Sequence, residues 1–232
     1  NAIPSWSWAI CLKQGRLSNG TITLGGVDPR LYVGAMQYTA DTGGGQFYQM
    51  SLNGMTIGGQ QINIVEQQVI IDSGTNILLV PDGTYQSIKS ILLSMVKQSI
   101  FTVRYPLFMF LFVFDSFFSF PFPQGVCDVS SSSTLFDGQC FYFTVQQLQQ
   151  FPNLTISVPG INPIVVPPAS YILQNYGTNF KPGQFCLGID NTGANGFQII
   201  GDTVMSGYYV VFDLQNTRIG WAPVSKNCGN LS

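Results

Sequence analysis

The chain of 232 residues contains no histidine. Catalytic triads of the Ser-His-Asp kind, and nucleophilic pairs of cysteine with histidine, therefore cannot be built from it. The same absence excludes a zinc site with histidine ligands. Enzyme classes that depend on an imidazole as base or metal ligand are thus removed.

Charged residues are also scarce, at 9% of the chain, with 11 Asp and Glu against 9 Lys and Arg. There is no basic stripe that could displace counterions from a phosphate backbone, which argues against a nucleic-acid partner. An acidic protein with few lysines fits a compartment of low pH, where unpaired carboxylates are tolerated more easily.

The cysteines lack the short paired spacing that a zinc site or a thioredoxin-type motif needs. The explanation that remains is that the cysteines form disulfides in an oxidising compartment. Three acceptor sequences for N-glycosylation point the same way, and the one in a Pro-Asn turn, at Asn153, is the best candidate. The cysteines are Cys11, Cys127, Cys140, Cys186 and Cys228, and the acceptors are Asn19, Asn153 and Asn230.

Short apolar runs punctuated by Gly, Pro and Asn make up most of the chain, whose hydrophobic fraction is 45%. Such a density of turns predicts a mainly β fold, a sandwich or a barrel-like lobe, with a few short helices. One helix is predicted to begin near Asp82, since apolar residues follow it at helical spacing. A shorter helical turn is predicted at 146–150, with an exposed loop as the alternative. The clearest strands lie at 20–24, 48–52, 55–57 and 61–64.

An aspartate at position 72 stands between two apolar runs, in the sequence Val-Ile-Ile-Asp-Ser-Gly-Thr-Asn-Ile-Leu-Leu-Val. An apolar strand that leads directly into Asp-Ser-Gly-Thr places a carboxylate at a tight turn in hydrophobic surroundings. Burial and a few hydrogen bonds shift the pKa of a carboxyl group and so prepare it for acid-base chemistry. Asp72 is therefore the chief catalytic candidate, and an ordinary turn is the alternative.

The apolar run followed by Asp72-Ser73-Gly74-Thr75 resembles the active-site signature of the pepsin-like aspartic endopeptidases. Segment 20–29 is similar to the hairpin that closes the first lobe in this family, and 197–223 resembles its C-terminal signature. The motifs occur in the family's order, and the likeness extends from Trp6 to Cys228.

This resemblance implies a bilobal fold in which each lobe supplies one Asp to a dyad that shares a proton and activates a water. Residues 1–36 are then the end of the N-terminal lobe and the connection between lobes, and 37–232 are the C-terminal catalytic lobe. Asp72 is the second Asp of the dyad. The first Asp-Thr-Gly motif and a Tyr-bearing flap are expected before residue 1, so we interpret the chain as a fragment that is inactive alone.

An Asp-Thr-Gly sequence at 41–43 is not taken as the missing first motif. That motif needs apolar strands on both sides, whereas Gln37-Tyr38-Thr39-Ala40 precedes this one and two further glycines follow it. Its position agrees with the linker between lobes. A solvated Gly-rich turn is therefore predicted at Asp41.

The family resemblance implies an endopeptidase that hydrolyses peptides or proteins without a metal or cofactor, with the N-terminal lobe of the same polypeptide as partner. It implies that Ser73 and Thr75 orient the carboxylate through hydroxyl hydrogen bonds. Gly74 would let a backbone N–H approach it, and Asn76 would lie at the cleft edge. A non-catalytic relative that binds peptides or proteins is the alternative. A homodimer of the retroviral type is disfavoured, because the first thirty residues resemble part of another lobe.

Resemblance to membrane-anchored relatives of pepsin further implies the disulfides Cys11–Cys228 and Cys140–Cys186. Cys127 is then free or paired outside the chain. These features together predict the secretory pathway, with secretion, a lysosome or vacuole, or a membrane anchor as destination.

Segment 103–124 does not fit the family pattern, since it holds 8 of the 18 Phe. A transmembrane span is a poor explanation, because the apolar run 107–122 has only 16 residues, whereas a bilayer needs about 20. Asp115 also lies within this run, and a charged side chain inside a bilayer is energetically costly.

The genetic code offers another explanation of this segment. The codons of Val103-Arg104 can match the 5′ splice sequence of an intron, and those of 120–124, Phe-Pro-Phe-Pro-Gln, can match its 3′ splice sequence. We interpret the segment as a retained intron. A genuine hydrophobic insertion or a membrane-associating loop is the alternative, and transcript sequencing decides between them.

Overall fold

The computed structural model describes residues 3–13, 19–102, 134–176 and 181–230. The Phe-rich segment 103–124 and Cys127 lie outside these ranges, so their interpretation stays a prediction. The three acceptor asparagines lie within them, and all three are exposed: Asn19, Asn153 and Asn230.

The fold is mainly β, as the turn-punctuated sequence predicts. In chain order the described elements are β1 (Ser7–Leu12), β2 (Gly20–Leu24), β3 (Gln37–Ala40), β4 (Gln49–Ser51), β5 (Gly54–Ile57), β6 (Gln60–Ile62), β7 (Gln68–Ile71), β8 (Leu78–Val80), α1 (Asp82–Thr102), a 3₁₀ helix (Leu135–Asp137), α2 (Val145–Leu148), β9 (Leu154–Ser157), β10 (Ile164–Val166), α3 (Pro168–Tyr171), β11 (Ile172–Gln174), β12 (Phe185–Leu187), β13 (Ile189–Asn191), β14 (Ile199–Ile200), α4 (Asp202–Met205), β15 (Tyr208–Asp213) and β16 (Arg218–Pro223).

Both helices expected from the sequence are present. Helix α1 begins at Asp82 and buries Ile88 and Leu92 against the strands. The predicted turn at 146–150 is helix α2, which has a capping box: the Thr144 hydroxyl accepts from the Gln147 N–H, and the Gln147 side chain accepts from the Thr144 N–H. Such reciprocal capping satisfies donors that a four-residue helix cannot bond internally.

An antiparallel sheet in the order β2-β1-β15-β16-β3 joins the first forty residues to the last strands of the chain. Alternate residues of its strands face two separate apolar cores. Ile10, Val210 and Phe212 belong to the larger core, whereas Ala9 and Val211 belong to a smaller core on the opposite face. This sheet therefore forms the wall between the two cores.

Three further sheets surround the larger core. Their orders are β10-β9-β5-β6, β11-β12 and β13-β8-β14-β7-β4. The last sheet is mixed, since β14 runs parallel to β7 and antiparallel to β8. None of the helices in the described ranges is both long and apolar enough to cross a membrane.

The described residues contain two disulfides, between the same cysteine pairs that the resemblance implies. Cys11 of β1 is joined to Cys228, with their Cα atoms 5.9 Å apart, and both residues are buried. Cys140 is joined to Cys186 of β12, with a Cα separation of 4.4 Å. The first bond links positions 217 residues apart, and the second links positions 46 residues apart.

Replacing Cys11 and Cys228 together by Ala is expected to lower the free energy of unfolding by about 5 kcal/mol, because the bond closes the longer loop in the unfolded chain. The matched replacement of Cys140 and Cys186 is expected to remove about 4 kcal/mol. Denaturant unfolding measures both values. An unchanged free energy in the first variant would contradict the argument.

Candidate active site

Asp72 follows directly after β7, at the start of the turn that leads to β8. The two-residue strand β14 lies between β7 and β8, and the Asp72 N–H donates to the Ile200 carbonyl at 2.9 Å. Ile71 and Ile200 are almost fully buried. The turn that carries Asp72 therefore begins at the end of a buried apolar strand that is hydrogen-bonded to β14.

Both carboxylate oxygens of Asp72 accept hydrogen bonds from within this turn. The Gly74 N–H donates to Oδ1 at 2.8 Å, and the Thr75 hydroxyl donates to Oδ2 at 2.6 Å. The Thr75 N–H also donates to the Asp72 carbonyl at 3.2 Å. A Cβ on Gly74 would lie 3.1 Å from Oδ1, so the absence of a side chain permits this close approach.

The two other residues predicted for the site, Ser73 and Asn76, are both exposed. Within the described part of the chain, the Ser73 hydroxyl makes no hydrogen bond to Asp72. The Asn76 carbonyl accepts from the N–H of Thr203 at 3.1 Å and from its hydroxyl at 3.0 Å. Asn76 thus ties the turn to helix α4 through its backbone.

Asp202 is a second carboxylate next to this turn, and the sequence reasoning did not single it out. It is the first residue of α4, and its N–H donates to the Thr75 carbonyl at 2.8 Å. Its Oδ1 is buried and has no hydrogen-bond partner among the described residues. Burial raises the pKa of Asp202 to about 6, and the negative charge of Asp72 adds to the shift.

A signal for Asp202 does exist in the sequence. Like Asp72, it follows directly on a short apolar run, here Ile199-Ile200-Gly201. Gly201 lies tight against the turn, since a Cβ on it would press on the backbone carbonyls of Thr75 and Ile77. The two apolar runs that end in an acid therefore pack side by side.

A cleft of about 770 Å³ opens beside Asp72. Its lining is mainly apolar, and the Asp41 turn that was rejected as a catalytic motif forms part of it. Asp41 behaves as a turn residue, since one carboxylate oxygen accepts from the N–H groups of Gly43 and Gln49. The lining includes Asp41, Gln46, Phe47, Ile71, Asp72, Phe197, Leu214 and Thr217.

The described ranges contain no group of three or more acids or cysteines that could hold a metal ion. A carboxylate fixed by two hydrogen bonds at the edge of an apolar cleft can act on a proton of a bound water. A second acid within its electrostatic influence can adjust the pH at which it does so.

Comparison with known sequences decides the family. The family model described as eukaryotic aspartyl protease matches residues 1–224. The chain belongs to this family. The chain is 29% identical to gastricsin of Homo sapiens over 227 residues, which is 94% of the chain and 46% of that relative. Gastricsin of Callithrix jacchus is 28% identical with the same coverage, and beta-secretase of Strongylocentrotus purpuratus is 24% identical over 88% of the chain and 35% of its own length. The chain spans less than half the length of these relatives.

The raised pKa of Asp202 predicts a pH dependence of stability. A carboxyl group that holds its proton more tightly when folded stabilises the folded state at low pH. This contribution is complete below pH 3.8, the ordinary value, and is lost as the pH rises to about 6. The loss of stability over this interval is expected to be smaller in Asp202→Asn, as measured by denaturant unfolding at pH 3.5, 5 and 7.

Other acids contribute to the stability of the folded state in a different pH interval. Hydrogen bonds from Arg30 to Asp28 and from Thr134 to Asp137 lower the pKa of those carboxyl groups. Their stabilisation is present above pH 3.8 and disappears as the pH falls below it. A difference between wild type and Asp202→Asn that does not change between pH 3.5 and 7 would contradict the assignment to Asp202.

The tight contact at Gly201 predicts a steric effect. Gly201→Ala is expected to lower the free energy of unfolding by about 1–3 kcal/mol, because the added Cβ meets the rigid backbone of the Asp72 turn. Gly54→Ala is the matched control, since its Cβ would be near only the flexible Gln61 side chain, at 3.0 Å. Denaturant unfolding compares the two variants, and equal effects would argue against the tight packing.

Proposed function

We propose that this aspartyl protease is an endopeptidase for peptide or protein substrates, in which Asp72 is one of two carboxylates that activate the attacking water. The observation that carries the proposal is the Asp72 carboxylate, held by Gly74 and Thr75 at the edge of a cleft large enough for substrate side chains. Membership of the family and similarity to gastricsin support it.

The proposed chemistry requires two acids with different protonation states. One carboxylate takes a proton from water while the other, protonated, donates to the carbonyl oxygen of the substrate. The water oxygen bonds to the carbonyl carbon and gives a tetrahedral diol. When the C–N bond of the diol breaks, the proton taken from water passes to the leaving amine nitrogen, and the other carboxylate regains a proton from a diol hydroxyl, so the pair again holds one proton. Hydrogen bonds from fixed donors keep Asp72 oriented through these steps, so little reorganisation accompanies the reaction. No metal or cofactor takes part in this scheme.

The partner carboxylate is proposed to come from an N-terminal lobe of the same polypeptide. In this division, 1–36 belong to the end of that lobe and the connection, and 37–232 form the catalytic lobe that carries Asp72. The proposal agrees with the finding that the chain spans less than half the length of its relatives.

Two exposed apolar side chains on β2, Ile22 and Leu24, support a docking site for that lobe. Leu24 is paired with Trp8, which is paired with Phe212, so these side chains lie in one row on the same face of the sheet. Phe212 is 1% exposed, but Leu24 is 67% exposed and Ile22 beside it 63%. Exposed apolar faces of this kind on an edge strand usually need a cover. Slower hydrogen exchange of the β2 amides when the N-terminal lobe is present tests this placement.

The disulfides and the three exposed acceptor asparagines support passage through the secretory pathway. Asn153 is the acceptor proposed to carry a glycan. A loss of mass after treatment with a glycosidase that cleaves at asparagine tests this proposal.

Asp72→Asn in the two-lobed protein is expected to lower peptide hydrolysis at acidic pH about 10²- to 10⁴-fold, because the amide keeps the shape of the side chain but cannot exchange a proton. The turnover number with a peptide substrate is the measurement. The chain of 232 residues alone is expected to give no turnover.

Glu66→Gln is the matched control, since the exposed Glu66 lies outside the cleft lining and its amide can still accept from the Gln68 N–H. Full activity in Asp72→Asn would refute the proposed role. Peptide binding without hydrolysis in the unaltered two-lobed protein would favour a binding homologue instead.

A further inference from the structure

Asp41 occupies an unusual place among the acids of the chain. Its Oδ1 accepts from the N–H of Gly43 at 3.0 Å and from the N–H of Gln49 at 3.1 Å. Its other oxygen, Oδ2, has no hydrogen-bond partner in the described ranges, although Asp41 lines the cleft beside Asp72. The turn thus fixes one oxygen and leaves the other available to a ligand.

Among the described residues, no Lys or Arg forms a salt bridge with Asp41. The cleft residues in these ranges include two carboxylates, Asp41 and Asp72, and no Lys or Arg. Arg218 is the basic residue adjacent to the lining residue Thr217, and it is engaged elsewhere. Its Nε donates to Asp213 at 2.7 Å, and its guanidinium lies 3.9 Å from the centre of the Tyr38 ring.

The strand register gives an approximate distance between Asp41 and Asp72. Asp41 contacts Gln49, Gln49 is paired with Ile70, and Ile70 lies two residues before Asp72. With neighbouring strands about 4.8 Å apart and about 3.3 Å per residue along a strand, the two acids are on the order of 10 Å apart. In an extended substrate, a side chain one or two residues from the bond held at Asp72 can therefore reach Asp41.

Apolar side chains line the same cleft as the two acids. Phe47, Phe197 and Leu214 line the cleft and are 53%, 68% and 45% exposed. Lys and Arg side chains combine an apolar stem with a charged head, and they place the stem along apolar surface while the head finds a polar partner. A cleft that combines apolar side chains with a carboxylate oxygen that has no hydrogen-bond partner in the described ranges matches that shape and charge.

We infer that Asp41 is a specificity-determining residue, which selects substrates with a lysine or arginine near the scissile bond. The inference rests on the proposed function, since it names the side-chain class that the cleft beside Asp72 accepts. The free Oδ2 of Asp41 binds the ammonium or guanidinium head in a charge-assisted hydrogen bond. Phe47, Phe197 and Leu214 hold the stem.

Asp41→Asn tests this without removing the turn, because the amide oxygen can still accept from Gly43 and Gln49. The first measurement is binding by NMR to the chain of 232 residues at pH 5. The probes are the capped pentapeptides Ala-Ala-Lys-Ala-Ala and Ala-Ala-norleucine-Ala-Ala, which differ chiefly in the ammonium group. The lysine peptide is expected to bind about 3- to 10-fold more tightly to wild type, with shifts at Gly43 and Phe47.

This preference is expected to disappear in Asp41→Asn and to remain in Asp190→Asn, which removes a carboxylate outside the cleft lining. In the two-lobed protein, the ratio of kcat/KM for lysine and norleucine substrates is expected to fall by the same factor in Asp41→Asn. A preference for lysine that persists in Asp41→Asn, or equal binding of both peptides to wild type, overturns the inference.

The binding measurement does not depend on catalysis. If Asp72→Asn keeps full activity, the proposed catalytic role fails, and a lysine preference that depends on Asp41 still supports the binding site. If Asp72→Asn is inactive and the peptides bind equally to wild type, the catalytic role stands and the role of Asp41 fails.

Discussion

The placement of β14 between β7 and β8 is the constraint on which the site depends. This strand has only two residues, yet it pairs with a parallel neighbour on one side and an antiparallel neighbour on the other. It supplies the Ile200 carbonyl to Asp72, and the α4 residue after it supplies the Asp202 N–H to Thr75. The turn is therefore defined by a segment about 130 residues further along the chain, and its position follows from the packing of the whole sheet.

Features that depend on residues close together in the chain were predicted from the sequence. Turn residues between short apolar runs predicted strands, helical spacing predicted α1, and an acid after an apolar strand predicted the position of Asp72. The disulfides followed from resemblance to a family, since no local rule pairs Cys11 with a residue more than two hundred positions away.

The structure adds what depends on distant contacts. Asp202 becomes relevant because α4 packs against the Thr75 turn, and Asp41 because β3 and β4 bring its turn to the same cleft as Asp72. The prediction of a turn at Asp41 agrees with its hydrogen bonds, but its location in the cleft could not be read from neighbouring residues. Position relative to a cleft is a property of the sheet order, which local sequence specifies only weakly.

The first sheet has a consequence for how the chain is made. Strand β1 pairs with β2 on one side, but on the other side Trp8 pairs with Phe212 of β15, so this second pairing can form only after about two hundred further residues have been synthesised. Contacts between such distant segments form slowly, because the chain loses the entropy of closing a long loop before the contacts can stabilise it. During translation the apolar residues of β1 lack their neighbours on β15, and partly exposed apolar segments of this kind are prone to aggregate and are bound by chaperones. Completion of this wall is therefore expected to be a late step of folding.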